Sequence, residues 1–453
     1  MPDRRLVLGL IALAIVVRAA AVLALQSHTV PHSTYEHGEI AENLLAGRGF
    51  SIKLLGAEGP TSQQAPVYPL VVAAAYAIGG VGTPGALLWL QLGQAVLGAW
   101  LVAGVLALAR EVAPDRPRVA YLAGLIAALH PTLVYATTHV QVAPLAAPIL
   151  VWALFWAYRG GRSGRSRDLM MAGAWLGLLV LTDPILGLIA PGMARAVGKG
   201  RGPWGWSARP VLILAATASL VVAPWIVRNG RVHHELVLVK STFGYAFWQG
   251  NCALSEGTDK VVRPSVERAL NHSGKGLQGW NEALWAARHE AGCIDDVALT
   301  GADYQTMGQL SEPERSRFLF RKALNDLRAE PGRYVQLCLR RLRYFVFIDE
   351  SNPKTRSLIY RSGHLGLTAL ALLGLILAEP DVRRRVGPTV LAASLIALFH
   401  TLTIVSARFH VPIEPLMALW AASGVTRLGS ASPAGDVIGV GVERRLAVGQ
   451  VGA

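Results

Sequence analysis

Charge is scarce in this sequence. Asp, Glu, Lys and Arg make up 16% of its 453 residues, whereas 52% are hydrophobic and the mean hydropathy is +0.39. A soluble chain of this length carries more charge, so an ordinary soluble protein is excluded. Apolar runs, most of them near the roughly 18–20 residues that cross a bilayer, recur at 5–25, 84–110, 119–130, 133–158, 169–190, 210–227, 361–379, 387–406 and 411–428. The sequence therefore predicts an all-α polytopic membrane protein.

Cysteine is rarer still, and several common motifs are missing. The three cysteines form no CxxC or Cys/His spacing, which excludes a zinc-finger type of site. Spacing leaves two alternatives open for Cys252 and Cys293, a disulfide or two unpaired thiols. No tandem repeat is visible. No Gly-rich nucleotide loop or DxD motif occurs in a segment expected in the cytoplasm.

Basic residues outnumber acidic ones, and the positions of the basic clusters along the chain indicate how it crosses the membrane. The formal net charge is +14. The arginine clusters fall in alternate short loops between apolar runs, a positive-inside pattern that favours membrane topology over nucleic-acid binding. With the N-terminus inside, charge parity predicts about ten spans, with residues 26–83 and 228–357 outside. The stretch at 169–198 must then be two helices broken at Pro184. The segment at 66–80 must be an interfacial or partly re-entrant helix.

These boundaries predict four regions. Residues 1–227 form an N-terminal transmembrane module with a first outer loop at 26–83. Residues 228–357 form a mainly helical extracytoplasmic region, and 358–428 form the C-terminal transmembrane helices. Residues 429–453 are a flexible cytoplasmic tail, rich in small residues.

An acidic stretch, YEHGEIAENLLAGRGFS at 35–51, follows the first span. In a helix, Glu36, Glu39 and Asn43 lie at i, i+3 and i+7 and share one face, and Gly47 ends that helix. Charged groups next to a membrane are costly and often functional. Ordinary solvated charges on a juxtamembrane helix are the alternative.

One resemblance covers most of the chain. The stretch TYEHGEIAENLLAGRGFS, with GPTSQQAPVYPLVVA at 59–73, resembles the first outer loop of GT-C type glycosyltransferases. More narrowly, it is similar to bacterial glycosyltransferase family 39 and the dolichyl-phosphate-mannose–protein mannosyltransferases. Later family-like segments follow in order: LIAALHPTLVYATTHV at 125–140, AGAWLGLLVLTDPILGLIAP at 172–191, APWIVRN at 223–229, FGYAFWQGN at 243–251 and SARFHVPIEPLMALWAASG at 406–424. The resemblance implies a GT-C type transmembrane bundle with juxtamembrane helices and a small helical outer domain.

Three positions depart from the family pattern. The acidic residue of the first loop, usually Asp, is Glu36 here. A glutamate often found early in the fourth helix is replaced by Gln141, and the arginine of the family's helix break is replaced by Asp183. A different sugar, a different acceptor or a weakened enzyme would each explain these changes.

The resemblance implies an integral-membrane glycosyltransferase that moves a sugar from polyprenyl phosphate to an acceptor hydroxyl at the outer face, with inversion. Glu36 would be the general base. Arg228, Lys240 and Arg408 would stabilise the phosphate, although arginines at such positions are often interfacial anchors. The other substrate-binding candidates are Glu39, Asn43, Tyr68, Asp183 and Asn251. A helix cap beside Pro184 is the alternative for Asp183.

No cofactor is required by the sequence, and a divalent cation is compatible with it. His32 and His37 could join Glu36 as metal ligands, but isolated surface histidines are more common. The expected partners are a polyprenyl-phosphate sugar donor, a lipid, glycan or protein acceptor, and membrane lipids, with no nucleic acid.

The expected location is a bacterial plasma (inner) membrane, with the active site on the outer side. Two other functions are weighed against the enzyme. A flippase or transporter of lipid-linked sugars predicts internal repeats and mid-membrane charges, neither of which is visible. A non-catalytic glycolipid-binding protein would explain the loss of the usual Asp.

Overall fold

The computed structural model describes residues 3–31, 33–198, 207–261 and 276–428. Its helices are α1 (Arg4–Leu25), α2 (Tyr35–Leu45), α3 (Val67–Gly79), α4 (Pro84–Val112), α5 (Pro117–Leu129), α6 (Pro131–Ala136), α7 (Ala143–Ser163), α8 (Ser166–Thr182), α9 (Ala190–Val197), α10 (Ala208–His233), α11 (Phe243–Asn251), α12 (Gly276–Glu290), α13 (Asp295–Ala298), α14 (Gly301–Gly308), α15 (Glu312–Ala329), α16 (Pro331–Val346), α17 (Leu358–Leu377), α18 (Pro380–Leu402) and α19 (Glu414–Leu428). One hairpin pairs β1 (Ser51–Leu54) with β2 (Ala57–Pro60). The tail predicted at 429–453 lies outside the described residues.

Five of the described helices are long and apolar enough to cross a membrane: α1, α4, α10, α17 and α18. The remaining apolar runs are shorter or interrupted. Asp183 ends α8, and Pro184 opens a 3-10 turn before α9, as the sequence predicted. The run at 133–158 is not one helix, because an irregular turn at 137–142 separates α6 from α7. The chain is therefore an almost entirely helical bundle with several broken helices.

The turn after α6 is held by hydrogen bonds from a neighbouring helix. The side-chain amide of Gln94 on α4 donates to the carbonyls of Thr137 at 2.7 Å and His139 at 2.9 Å. Tyr68 on α3 donates its hydroxyl proton to the Gln94 carbonyl oxygen at 2.8 Å. Buried irregular backbone persists where protein groups satisfy its hydrogen bonds, and these buried side chains do so.

A proline break lies between α5 and α6. Pro131 has no N–H, so the carbonyl of Ala127 loses its regular helical donor. Arg18 on α1 replaces that donor, with hydrogen bonds to the carbonyls of Ala127 at 2.9 Å and Ala128 at 2.8 Å. Gly98 on α4 leaves room for this side chain, because a Cβ there would lie 2.2 Å from its Nε. A fully buried arginine thus stabilises the end of a neighbouring helix.

The loop between α1 and α4 contains helix α3 and the β1–β2 hairpin, and both pack against α2. Helix α3 has 13 residues, fewer than the about 20 that a span requires. The hairpin was not predicted, because only Gly56 of its two turn residues is of a type that favours positive φ. Leu55 and Gly56 both adopt positive φ, at 50° and 84°, as a tight two-residue hairpin turn requires.

The segment at 228–357, here called the middle region, has its own small core. Apolar side chains of α11, α14 and α15 meet around Trp248, Met307 and Leu319. Ser311 and Glu314 form the capping box that the sequence indicates at the start of α15. All three cysteines are free, so of the two alternatives for Cys252 and Cys293 the structure has unpaired thiols.

Candidate functional site

A cavity opens between α2 and the middle region, with an empty volume of about 810 Å³ including its mouth. The first turn of α2, helix α6 and the turn after it form one side. The middle region and the segment before α19 form the other. The lining residues are Tyr35, Glu36, Thr132, Tyr135, Ala136, His139, Gln141, Asp259, Lys260, Arg288, Cys293, Asn352, Lys354, Tyr360, Ser406, Arg408 and Val411.

The charges on the cavity wall are mostly positive. Lys260, Arg288, Lys354 and Arg408 bring four cations, whereas the carboxylates are those of Glu36 and Asp259. An excess of cations in a partly enclosed site favours an anionic ligand, and arginine side chains are well shaped for phosphate oxygens.

Several of these charged groups have no hydrogen-bond partner. Within the described residues, neither the Glu36 carboxylate nor the Arg408 guanidinium has a hydrogen bond or close ion pair, and Arg408 is half-buried above the Phe409 ring. The buried Nε of Arg288 also lacks a partner, while its guanidinium lies over Tyr35 and Trp285, both at 5.1 Å. Buried polar groups in folded proteins are normally satisfied, so these groups are free to bind a ligand.

Lys354 is held in an environment that disfavours its charge. It lies in the 3-10 turn before α17, with its ammonium 5.4 Å from the centre of the Tyr360 ring. Burial, followed by the charges of Arg288 and Arg408, lowers the pKa of Lys354 to about 7. An anion in the cavity would favour the charged form and raise this pKa again.

Helix α2 places one of its three predicted polar residues in the cavity. Glu36 lies on the wall, next to Tyr35, whose φ of 50° is strained for a bulky residue. Glu39 instead accepts a hydrogen bond from the backbone N–H of Lys53 at 2.7 Å. Asn43 is buried and donates to the carbonyl of Ser51 at 2.8 Å. Glu39 and Asn43 therefore attach the hairpin to α2.

A second group of predicted residues lies close to Glu36. Lys240 donates to Gln64 at 3.0 Å, and burial lowers its pKa, while the charges of Asp183 and Glu36 act to raise it. Asp183 caps the 3-10 turn by accepting from the N–H of Ile185 at 3.2 Å. His37 is buried edge-on to Tyr68, and burial together with Lys240 and Arg408 lowers its pKa to about 3. The neutral His37 adds no charge here.

Arg228 is not on the cavity wall. Its guanidinium donates to the carbonyls of Thr61 at 2.6 Å and Phe50 at 3.1 Å. It also lies over the rings of Phe50, at 5.4 Å, and Trp225, at 4.8 Å. Arg228 thus connects α10 to the loop that carries the hairpin. Of the three cations predicted to bind the phosphate, Arg408 lines the cavity, whereas Arg228 and Lys240 do not.

Tyr68 and Asn251 are also engaged in internal contacts. Tyr68 is 1% exposed, and its hydroxyl donates a hydrogen bond to the side-chain oxygen of Gln94. Asn251 is fully buried at the end of α11, where it donates to the carbonyls of Phe247 and Thr403. Its side-chain oxygen accepts from Arg341 at 3.1 Å.

Three of the four cations that line the cavity were not predicted from the sequence: Lys260, Arg288 and Lys354. Lys354 precedes an apolar helix, where a lysine reads as an interfacial anchor. Arg288 lies on α12, far from Glu36 along the chain, and no local pattern connects the two. Contacts between such distant segments cannot be derived from spacing within one sequence.

One group among the described residues has three side chains placed to hold a metal ion: His364, His410 and Glu414. His37, a weak candidate from the sequence, is not part of it. His32, the other weak candidate, lies outside the described residues.

One protein family matches part of the chain, and solved structures match its fold. The family model of dolichyl-phosphate-mannose-protein mannosyltransferase matches residues 63–227, from the end of the hairpin through most of α10. Glu36 and Arg408 lie outside this matched segment. No curated sequence matches the chain.

Solved structures match over nearly the whole chain. Archaeal oligosaccharyltransferase AglB from Archaeoglobus fulgidus, in complex with an inhibitory peptide and a dolichol-phosphate, is 14% identical with a TM-score of 0.50, over 93% of this chain and 50% of that chain. The apo form of the Archaeoglobus fulgidus oligosaccharyltransferase is 14% identical with a TM-score of 0.51, over 92% and 50%. The chain therefore spans about half the length of these structures.

A third structure, ArnT from Cupriavidus metallidurans bound to undecaprenyl phosphate, is 16% identical over 93% of this chain and 78% of that chain. Its TM-score of 0.42 is too low to support an argument. At the identities of all three structures, similarity shows the fold alone. The chain has the GT-C type fold, and its residues 63–227 are similar to a dolichyl-phosphate-mannose-protein mannosyltransferase.

Proposed function

We propose that this chain is a membrane glycosyltransferase that takes its sugar from a lipid-linked donor. The GT-C type fold and the mannosyltransferase-like segment support the class of reaction. The observation that carries the proposal is the cavity, which is lined both by the unpartnered carboxylate of Glu36 and by Arg288, Lys354 and Arg408. A base and a group of cations are what sugar transfer from a phosphate requires.

The donor in this proposal is a sugar on polyprenyl phosphate. AglB, which shares the fold, was solved with a dolichol-phosphate. The cationic wall of the cavity fits the charge of such a headgroup, while the apolar helices around it suit the lipid chain. The acceptor is a hydroxyl of a lipid, glycan or protein.

The chemistry needs one proton transfer and one displacement. Glu36 takes the proton from the acceptor hydroxyl, and the oxygen forms a bond to the anomeric carbon. The bond from that carbon to the phosphate oxygen breaks, and polyprenyl phosphate leaves with the electron pair. Arg288, Lys354 and Arg408 stabilise the charge that develops on the phosphate. Attack opposite the leaving group inverts the anomeric configuration.

The predicted residues that lie away from the cavity have supporting roles in this mechanism. Asp183 and Glu36 both favour the charged form of Lys240, because each carboxylate acts to raise the pKa of that lysine. Arg228, Glu39 and Asn43 hold the loop and hairpin in place through their contacts with backbone groups. The reaction takes place at the outer face of the inner membrane, since charge parity puts residues 26–83 and 228–357 there.

Replacing Glu36 by Gln tests the role of the base. Glu36→Gln keeps the size of the side chain and removes its basicity, so transfer should fall about 10²-fold or more, with little change in donor binding. Glu36→Asp should retain part of the activity, because it keeps a carboxylate. The assay measures sugar transfer from polyprenyl-phosphate sugars to added acceptors in proteoliposomes, alongside donor binding.

Glu39→Gln is the matched control, since Glu39 lies on the same helix but bonds the hairpin backbone. Its effect should be mild. Wild-type transfer by Glu36→Gln would contradict the role of Glu36 as the base, whereas absence of transfer by the wild type would contradict the enzyme proposal. Movement of the donor across the membrane without transfer would instead identify a flippase, and binding with neither would identify a glycolipid-binding protein.

A further inference from the structure

A fully buried carboxylate lies below the floor of the cavity, surrounded by histidines. Glu414, at the start of α19, is 0% exposed. Its Oε1 lies 3.0 Å from Nδ1 of His410 and 3.5 Å from Nδ1 of His364. Its Oε2 lies 3.5 Å from Nε2 of His130 and accepts a short hydrogen bond from Thr132. All three imidazoles are buried.

The outer hydrogen bonds of two of these histidines fix where their protons lie. The carbonyl of Ala407 can only accept, so the Tyr360 hydroxyl donates its one proton there, at 3.0 Å. The hydroxyl oxygen must then accept from Nε2–H of His410, at 2.9 Å. Nε2 of His364 lies 3.2 Å from the carbonyl of Val346, so it too carries a proton. In neutral rings, both Nδ1 atoms are left as lone pairs.

Two nitrogen lone pairs therefore point at one carboxylate oxygen. Acceptors at such distances repel each other unless a positive charge lies between them. Nδ1 of His364 and Nε2 of His130 have no hydrogen-bond partner in the structure, although both are buried. Extra protons on the rings would also supply this charge, but they would bury imidazolium ions away from water.

We propose that His364, His410 and Glu414 bind a divalent transition-metal ion of the zinc class. Their donor atoms all lie within 4.8 Å of one another. Ligands at about 2.0–2.1 Å from a tetrahedral zinc ion are roughly 3.3–3.5 Å apart, which is close to the separations seen here. Metal-bound histidines also typically donate their other N–H to a neighbouring oxygen, as His364 and His410 do.

All three ligands are buried and none lines the cavity, so the role of this site is structural. It connects helix α17 to the start of α19, and Thr132 on α6 bonds Glu414. Two of its neighbours, Thr132 and Tyr360, line the cavity directly above it. The metal thus fixes the cavity floor, and the inference stands independently of the proposed function.

Metal analysis of the whole protein tests this site. The chain is purified in detergent through a histidine-free tag, without chelators, and its metal content is measured by mass spectrometry. We expect about one zinc-class ion per chain. After removal of that ion, added Co²⁺ should give the visible absorption of a tetrahedral site with nitrogen and oxygen ligands. The Glu414→Gln and His364→Ala variants should each bind Co²⁺ at least tenfold more weakly.

His400→Gln is the matched control, because His400 is equally buried but bonds the carbonyl of Ile404, away from Glu414. It should keep the metal. The wild-type measurement does not depend on any variant folding. Protein that contains no stoichiometric metal and gives no tetrahedral Co²⁺ spectrum would overturn the proposal, in favour of protonated histidines. Full Co²⁺ affinity in Glu414→Gln would also overturn it.

Discussion

Lys354 carries the positive charge of the cavity that is most easily lost. Its pKa of about 7 results first from burial and then from the neighbouring arginines. Below that pH the side chain is charged, and above it the free protein holds it neutral. A sugar phosphodiester keeps one negative charge throughout this range. We therefore expect donor binding to weaken as pH rises through about 7, with the Kd increasing by up to tenfold per pH unit.

Substitutions at this residue separate its titration from that of other groups. In Lys354→Gln, donor binding should be weaker and nearly independent of pH between about 6 and 8. In Lys354→Arg, the charge persists, so binding should stay tight at higher pH. Lys53→Gln, on the exposed hairpin, is the control and should behave as wild type. A steep pH dependence that survives in Lys354→Gln would rule out this assignment. Equilibrium binding of a radiolabelled donor measures all four proteins.

Two arginines that look equivalent in the sequence should behave differently. Arg228→Ala leaves the carbonyl of Thr61 without its donor and removes one of the two donors to the carbonyl of Phe50, so it should lower the free energy of unfolding by roughly 1–3 kcal/mol. Donor affinity of the folded fraction should be unchanged. Arg408→Ala removes a cavity cation without a hydrogen-bond partner, so it should raise the donor Kd about tenfold or more at unchanged stability.

Thermal unfolding in detergent and donor binding, measured on both variants, distinguish these outcomes. If Arg228→Ala weakens donor binding at full stability, Arg228 contacts the phosphate as expected from the sequence. If Arg408→Ala binds donor normally, the cationic wall of the cavity is not where the phosphate lies.

Among the elements, the break between α5 and α6 depends on Arg18. Arg18→Met leaves two buried carbonyls without donors and should lower thermal stability strongly, at about 1–3 kcal/mol for each carbonyl. Pro131→Ala returns an N–H that can bond the carbonyl of Ala127. We expect the second change to recover part of the stability lost in the first. Unfolding midpoints of the single and double variants complete the cycle.

Additive effects of the two substitutions on stability would contradict this role of Arg18. If Pro131→Ala destabilises Arg18→Met as much as it does the wild type, the arginine is not acting as the missing helical donor. Arg18→Lys offers a further comparison, since one ammonium cannot reach both carbonyls in the fork geometry of a guanidinium.

Sequence patterns predicted those elements whose ends are encoded locally. Gly47 follows the end of α2, Pro184 breaks the run after Asp183, and Ser311 with Glu314 caps α15, all as the residues indicated. The partners of buried polar groups were not predictable in this way. Asn43 looked like a cavity residue because it shares a helical face with Glu36, yet it bonds the backbone beside an unpredicted hairpin.

The cavity itself could be predicted only in part. Glu36 and Arg408 were found through the family-like motifs around them, and both line it. Lys354 and Arg288 come from segments without such motifs, and only folding brings them to the same wall. The histidines around Glu414 are likewise spread over three segments. His410 and Glu414 stand at i and i+4, a spacing at which two ligands can meet, but no sequence pattern connects this pair to His364.

For the whole molecule, the charge pattern makes a prediction about sidedness. Single cysteines at Lys53, Gly82 and Glu282, all exposed positions, should be labelled from the outer side by a membrane-impermeant reagent. Cysteines at Arg118 and Arg165, also exposed, should be labelled only from the inside. The three native cysteines are replaced by serine in this experiment. Labelling of Lys53 and Gly82 from opposite sides would mean that α3 spans the membrane.

The excess of cations on the cavity wall has a consequence for turnover. Under the proposed function, the donor is a phosphodiester with one negative charge. The lipid phosphate left after transfer is a monoester, with about −1.5 to −2 charges at neutral pH. The same four cations therefore hold the spent carrier more tightly than the loaded one. Release of this product would limit the rate, and the flow of sugar would depend on how quickly the membrane removes and recharges its carrier lipid.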